Sequence, residues 1–188
     1  RLGVKAMTVY AFSTENFKRD ASEVDYIFRL PKEFFNLYLK ELMDNNVQIR
    51  YIGHLDLSPK ETQDIINEAV KKTSVNTGLI LTFAFIYGGR DEIVETTKII
   101  CQKYKDGDIA LEQINEAYFE KHLMTKDLPN VDLMIRSSGE YRLSNFLLWQ
   151  LAYAEFVFDD ILWPDFNEDE LHKAIAIYQG RERRFGGV

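Results

Sequence analysis

The sequence predicts an α/β fold with a mainly parallel central sheet flanked by helices. Three observations predict it. Short runs rich in β-branched and aromatic residues, at 4–12, 47–52, 79–87 and 131–135, alternate with segments whose apolar residues recur at helical spacing. The connections between successive runs are long enough for helical crossovers, which join parallel strands right-handedly. Several runs end abruptly in polar or glycine-rich clusters, and in open parallel sheets ligands sit beyond the carboxyl ends of the strands.

Taken in order, residues 4–12 form the first strand, stopped by Ser13-Thr14-Glu15-Asn16. From 22 to 45, Val24, Ile27, Phe28, Phe34, Phe35, Tyr38 and Leu42 mark an amphipathic helix, which Pro31 is expected to kink or divide near Leu30. Residues 47–52 make a second strand. Ser58-Pro59-Lys60-Glu61 reads as an N-cap serine, a first-turn proline and a capping-box glutamate opening a helix to about Thr73. The apolar run 79–87 is a third strand ending in Gly88-Gly89-Arg90, followed by a helix to about Tyr104 and another over 111–123. Residues 131–135 deliver a loop from Arg136 to Ser144; 156–158 form a short last strand and 168–179 a last helix. If the sheet is parallel, the clusters at 13–16, 88–90 and 136–144 should lie on one edge.

The composition sets bounds. With 188 residues, 46% hydrophobic and 28% charged, the chain suits one globular domain over 1–188. The net charge of −7 argues against a nucleic-acid surface, but a local arginine cluster can still hold an anion, because distant charges are screened beyond about 10 Å. The single cysteine, Cys101, excludes an intrachain disulfide, fits a reducing cytoplasm and is expected to pack in the interior. No run is long and apolar enough for a membrane span. His54, His122 and His172 lack metal-ligand spacing. Arg1-Leu2-Gly3 reads as the end of a helix with a glycine cap, so the chain is expected to start within a domain.

The loop from Arg136 to Ser144 carries two guanidinium groups, several hydroxyls and Gly139. Arginine forks match phosphate oxygens, and hydroxyl and backbone donors complete such a shell. The rival reading is a solvated loop with Arg136–Glu140 and Arg142–Glu140 ion pairs. Glu155 suits Mg²⁺ beside a diphosphate, since Mg²⁺ takes one or two carboxylates with waters and phosphate oxygens; otherwise it is a salt-bridging residue. Asn16 reads as a diphosphate donor, a group orienting a departing proton, or a cap. Arg19 lies one turn further on. The 13 Phe and 10 Tyr residues fit either ordinary core packing or an apolar tunnel for a greasy ligand.

These segments resemble the cis-prenyltransferases, specifically the bacterial undecaprenyl diphosphate synthases. The resemblance is carried in order by residues 10–17, 76–79, 87–90, 135–146, 148–150, 153–155, 162–166 and 181–187. It implies successive cis condensations of isopentenyl diphosphate onto an allylic diphosphate, usually farnesyl diphosphate, with Mg²⁺ as cofactor. It implies that Arg136, Arg142, Leu143 and Ser144 bind isopentenyl diphosphate and that Glu155 contributes to the metal site. Ser13, Thr14, Glu15, Phe17 and Arg19 line the substrate site, and Asn16 is a candidate proton acceptor. Leu79 falls towards the tunnel floor. The tail from Arg184 to Gly187 reaches a partner subunit, so a homodimer is expected, in the cytoplasm and peripheral at the membrane into which the product partitions. Phe17 stands where many bacterial members have Trp, and Ile86 where Asn usually precedes Tyr-Gly-Gly-Arg. The family's Asp-Gly-Asn-Gly-Arg-Trp segment, which organises Mg²⁺ and the allylic phosphates, does not occur within the 188 residues and would lie upstream of Arg1. Its absence raises the alternative of a non-catalytic partner subunit.

Overall fold

The computed structural model describes residues 2–181, organised as two compact units divided after Pro129. The expected tail from Arg184 to Gly187 lies outside the described residues. In the first unit, β1 (Ala6–Ser13), β2 (Gln48–Ile52) and β3 (Ile80–Tyr87) form a parallel sheet in the order β1-β3-β2. Helices α1 (Ala21–Asp44), α2 (Lys60–Thr73), α3 (Gly89–Lys105) and the short α4 (Glu116–Glu120) complete it. In the second unit, β4 (Leu133–Arg136) pairs in parallel with β5 (Glu155–Phe158), and α5 (Glu168–Gln179) follows. Among the described residues no helix is long and apolar enough to cross a membrane.

Apolar surface from α1, α2 and one face of the sheet makes the main core. Phe12 from β1, Phe28 and Phe35 from α1, Ile49 from β2, Ile66 from α2 and Phe85 from β3 all belong to one buried cluster. The rings are dense. Phe28 lies 5.3 Å from Phe12 and 5.8 Å from Phe85, while Phe83 lies 5.7 Å from Phe34 and 6.0 Å from Phe35, centroid to centroid. Such aromatic contacts add to area burial, and here they fill the layer between α1 and the sheet.

Helix α1 runs unbroken through Pro31, against the expected division. Its buried residues Val24, Phe28 and Phe35 lie on both sides of the proline, so tertiary packing outweighs a local penalty of about 3 kcal/mol. The expected capping box at Ser58 is absent. Pro59 itself is the N-cap residue, the Ser58 hydroxyl donates to the Leu55 carbonyl at 2.7 Å, and Glu61 turns to Lys32 at 2.6 Å. That hydrogen bond from Lys32, with its charge, holds the Glu61 carboxyl below the usual carboxylate range. The helix expected over 111–123 is a 3₁₀ turn and then α4, divided where the Asn115 side chain accepts the Tyr118 N–H at 2.9 Å. Cys101 is exposed, contrary to expectation, because Thr96 and Ile100 carry the buried face of α3.

Strand β1 forms one edge of its sheet although its sequence is almost wholly apolar. Met7 is 38% exposed and Ala11 is also exposed.

Candidate functional site

The first group of candidate residues follows β1 directly. Ser13 ends the strand and a 3₁₀ turn covers Thr14–Lys18. Asn16 closes that turn on itself, its Oδ1 accepting the Ser13 N–H at 2.8 Å. The bond fixes the carboxamide orientation, because only the oxygen end can face an N–H, and it points the Nδ2 donors the other way. Thr14 Oγ1 donates to Glu15 Oε2 at 3.1 Å. Phe17 packs edge-on against Phe12 at 5.2 Å and so ties the turn to the aromatic core. Arg19 pairs with Glu23 one turn into α1.

The end of β3 lies beside this turn. Ser13 stands opposite Tyr87 in the parallel register, which places the Ser13–Asn16 and Gly88–Arg90 clusters on one sheet edge as expected. A pair that the sequence reading did not single out lies there too. His54, just beyond β2, meets Asp91 in the first turn of α3 with Nε2 and Oδ2 2.5 Å apart. Wide separation in sequence hid it; topology brings the two together.

In the second unit, Arg136 is the last residue of β4 and its guanidinium donates to Ser144 Oγ at 3.4 Å. Arg142 pairs with Glu140. Of the two ion pairs the rival reading required, that one forms. The loop is held alongside the chain leaving β5 by backbone bonds from Ser138 to Ile161 (2.7 Å) and from Gly139 to Asp159 (3.0 Å). Ser138, Ser144, Asn145 and Leu147 all adopt positive φ, between 44° and 70°. Left-handed backbone at non-glycine residues costs energy and concentrates at functional sites. The loop therefore presents two arginines and the Ser144 hydroxyl on a strained, locally anchored backbone, an arrangement suited to gripping an anion. Leu143, half-buried, lies between Arg142 and Ser144.

Glu155 is set apart from Arg136. It is the first residue of β5 and pairs with Leu133, whereas Arg136 pairs with Phe158. Three residues of register separate them, roughly 10 Å along the strands, and the alternation of side chains sends them to opposite faces. Arg181 Nη1 donates to Glu155 Oε2 at 2.8 Å and to the Phe156 carbonyl at 2.9 Å. Among the described residues no group of three or more His, Cys, Asp or Glu side chains could hold a metal ion. Glu155 fits Mg²⁺ as one carboxylate ligand of a hydrated, phosphate-bound ion, for which one carboxylate suffices.

Against known proteins, a prenyltransferase family model described as undecaprenyl diphosphate synthase matches residues 1–186. An isoprenyl transferase of Oceanobacillus iheyensis is 55% identical over 98% of this chain and 73% of its own length. The ditrans,polycis-undecaprenyl-diphosphate synthase ((2E,6E)-farnesyl-diphosphate specific) of Micrococcus luteus is 51% identical over 100% of this chain and 75% of its own. Among solved structures, lavandulyl diphosphate synthase from Lavandula x intermedia, in complex with dimethylallyl diphosphate, has a TM-score of 0.94 at 41% identity, covering 98% of this chain and 80% of that one.

Proposed function

We propose, because this chain belongs to the undecaprenyl diphosphate synthase family and is a cis-prenyltransferase, that it adds isopentenyl diphosphate units in cis to farnesyl diphosphate to make undecaprenyl diphosphate. The observation that carries the reading is the Arg136–Ser144 pair on the strained loop after β4. Arg136, Arg142 and Ser144 hold the diphosphate of isopentenyl diphosphate, with Leu143 against its apolar part. Fixing that end positions the alkene for attack on the allylic carbon, and positioning accounts for much of the rate in such reactions. Ser13, Thr14, Glu15, Phe17 and Arg19 line the allylic substrate site. Arg19 must release Glu23 to take part, and both are exposed enough to do so.

As the new carbon–carbon bond forms, the allylic carbon–oxygen bond breaks and the new unit loses a proton. Asn16 spends its Oδ1 on the Ser13 amide, so we assign it to donation through Nδ2 and the proton to a diphosphate oxygen. Mg²⁺, when bound, would neutralise diphosphate charge; Glu155 would hold it through the carboxylate that Arg181 now takes, on the strand face opposite Arg136. To run from the strand ends towards Leu79, the growing tail must part the rings packed between α1 and the sheet. Leu79, next to the N-terminal end of β3, is its far limit, roughly 26 Å from Tyr87 along the strand. A homodimer whose product enters the membrane completes the proposal.

The test incubates the full chain with labelled isopentenyl diphosphate, Mg²⁺ and either farnesyl or dimethylallyl diphosphate, and sizes the dephosphorylated products. Farnesyl diphosphate should be preferred and carried to undecaprenyl length. Products of one or two additions, or none, would overturn the substrate and product assignment.

A further inference from the structure

Strand β3 ends in an arrangement that the catalytic reading does not use. Ile86 has φ of +54°, a left-handed conformation that a β-branched residue resists because its Cβ substituents crowd the backbone. The residue is fully buried. Phe85 and Ile86 are consecutive, yet both enter the same buried cluster, whereas neighbours in a strand ordinarily face opposite sides. The register explains this. Tyr10 lies opposite Ala84, Phe12 opposite Phe85 and Ser13 opposite Tyr87, so β1 carries one extra residue at Ala11 and β3 one at Ile86. The two slips cancel. Bulges of this kind re-aim side chains next to active sites.

Several contacts hold the bulge in place. The His54 N–H donates to the Ile86 carbonyl at 3.1 Å, and the Tyr10 hydroxyl donates to the Tyr87 carbonyl at 3.0 Å. The Tyr87 hydroxyl donates to Glu92 Oε2 at 2.6 Å, while Glu92 Oε1 accepts the Met124 N–H at 2.8 Å. Gly53, the residue after β2, closes the arrangement. Its φ is +111°, and a Cβ there would lie 2.2 Å from the Phe85 carbonyl oxygen and 2.9 Å from that of Ile86. Only glycine lets the two backbones approach so closely.

We propose that Ile86 and Gly53 are positioning residues. Their backbone clasp restores the register that the Ala11 slip displaces, which keeps the Ser13–Asn16 turn level with Tyr87, and Ile86 acts through its left-handed conformation rather than its side chain. The functional half of this inference rests on the reading that the turn lines the allylic substrate site. It also gives the unusual Ile86 a meaning: the site demands the conformation, and the surrounding contacts impose it on a residue ill-suited to adopt it.

Ile86→Gly and Ile86→Pro provide the test, because both remove the isoleucine side chain, but glycine accepts positive φ freely and proline is locked at negative φ. Hydrogen exchange at residues 13–17 and steady-state kinetics in the full chain are the readouts. Ile86→Gly should keep exchange and the KM for farnesyl diphosphate within about threefold of the parent. Ile86→Pro should speed exchange at 13–17 and raise that KM about tenfold, leaving the KM for isopentenyl diphosphate within about twofold. Gly53→Ala, which wedges the same backbone, should follow Ile86→Pro. Equal losses in the glycine and proline variants would overturn the proposal in favour of side-chain packing. So would a parallel rise of both KM values with uniform loss of protection. Faster exchange at 13–17 with an unchanged KM for farnesyl diphosphate would instead remove the turn from the substrate site. A Gly53→Ala protein that behaves as the parent would remove the clasp.

Discussion

The turn after β1 and the loop after β4 both end parallel strands, but they spend their polar groups differently. After β1, Asn16 caps Ser13, Thr14 bonds Glu15, Arg19 pairs with Glu23, and Phe17 anchors the turn in the ring cluster. After β4, Arg136 has a single weak bond, to Ser144, and the backbone takes left-handed conformations to present it. The first is bonded within itself; the second also pairs Arg142 with Glu140 but leaves the Arg136 guanidinium on one long bond. A diphosphate, which needs several charge-assisted hydrogen bonds, finds the stronger grip at the second.

The sharpest way to break that comparison is Arg136→Ala. It should raise the KM for isopentenyl diphosphate roughly 100-fold, in line with about 2–3 kcal/mol for a hydrogen bond to a charged group, with an unchanged circular dichroism spectrum. Unaltered kinetics would make the loop a bystander. Asn16→Asp probes the other region. Aspartate keeps an oxygen for the Ser13 amide but lacks the Nδ2 donors, so turnover should fall about tenfold with little change in melting temperature. Asn16→Ala should lose a comparable amount of turnover and also about 1 kcal/mol of stability, because the cap goes too. If aspartate is as active as asparagine, acceptance rather than donation is the function of Asn16. Arg181→Ala should have the smallest effect. The Arg181–Glu155 pair is partly exposed, so stability should fall by less than about 1 kcal/mol. With Glu155 released, half-saturation by Mg²⁺ should move about twofold lower; a rise would detach Glu155 from the metal.

Much of this was legible in the sequence. Strand runs and the last helix fall within two residues of their expected bounds, because apolar periodicity is a local signal. The division expected at Pro31 is missing because α1 packs its rings on Phe83 of β3, a partner no local window contains. The helix expected over 111–123 divides because Asn115 caps α4, and Glu61 misled because Lys32 of α1, distant in sequence, takes its carboxylate. At the site, residue types pointed to anion chemistry, and the resemblance assigned the roles. Neither could show that Glu155 begins β5 while Arg136 ends β4, since that separation is a matter of register. Nor could they show the paired slips at Ala11 and Ile86, which exist only once two strands are aligned.

The apolar edge at β1 has a practical consequence. Edge strands in stable proteins are protected by charge, proline or short length, and β1 has none of these along its eight residues. Met7 and Ala11 are exposed on it, outside the buried ring cluster, so lysine at either position would add such protection without opening the core.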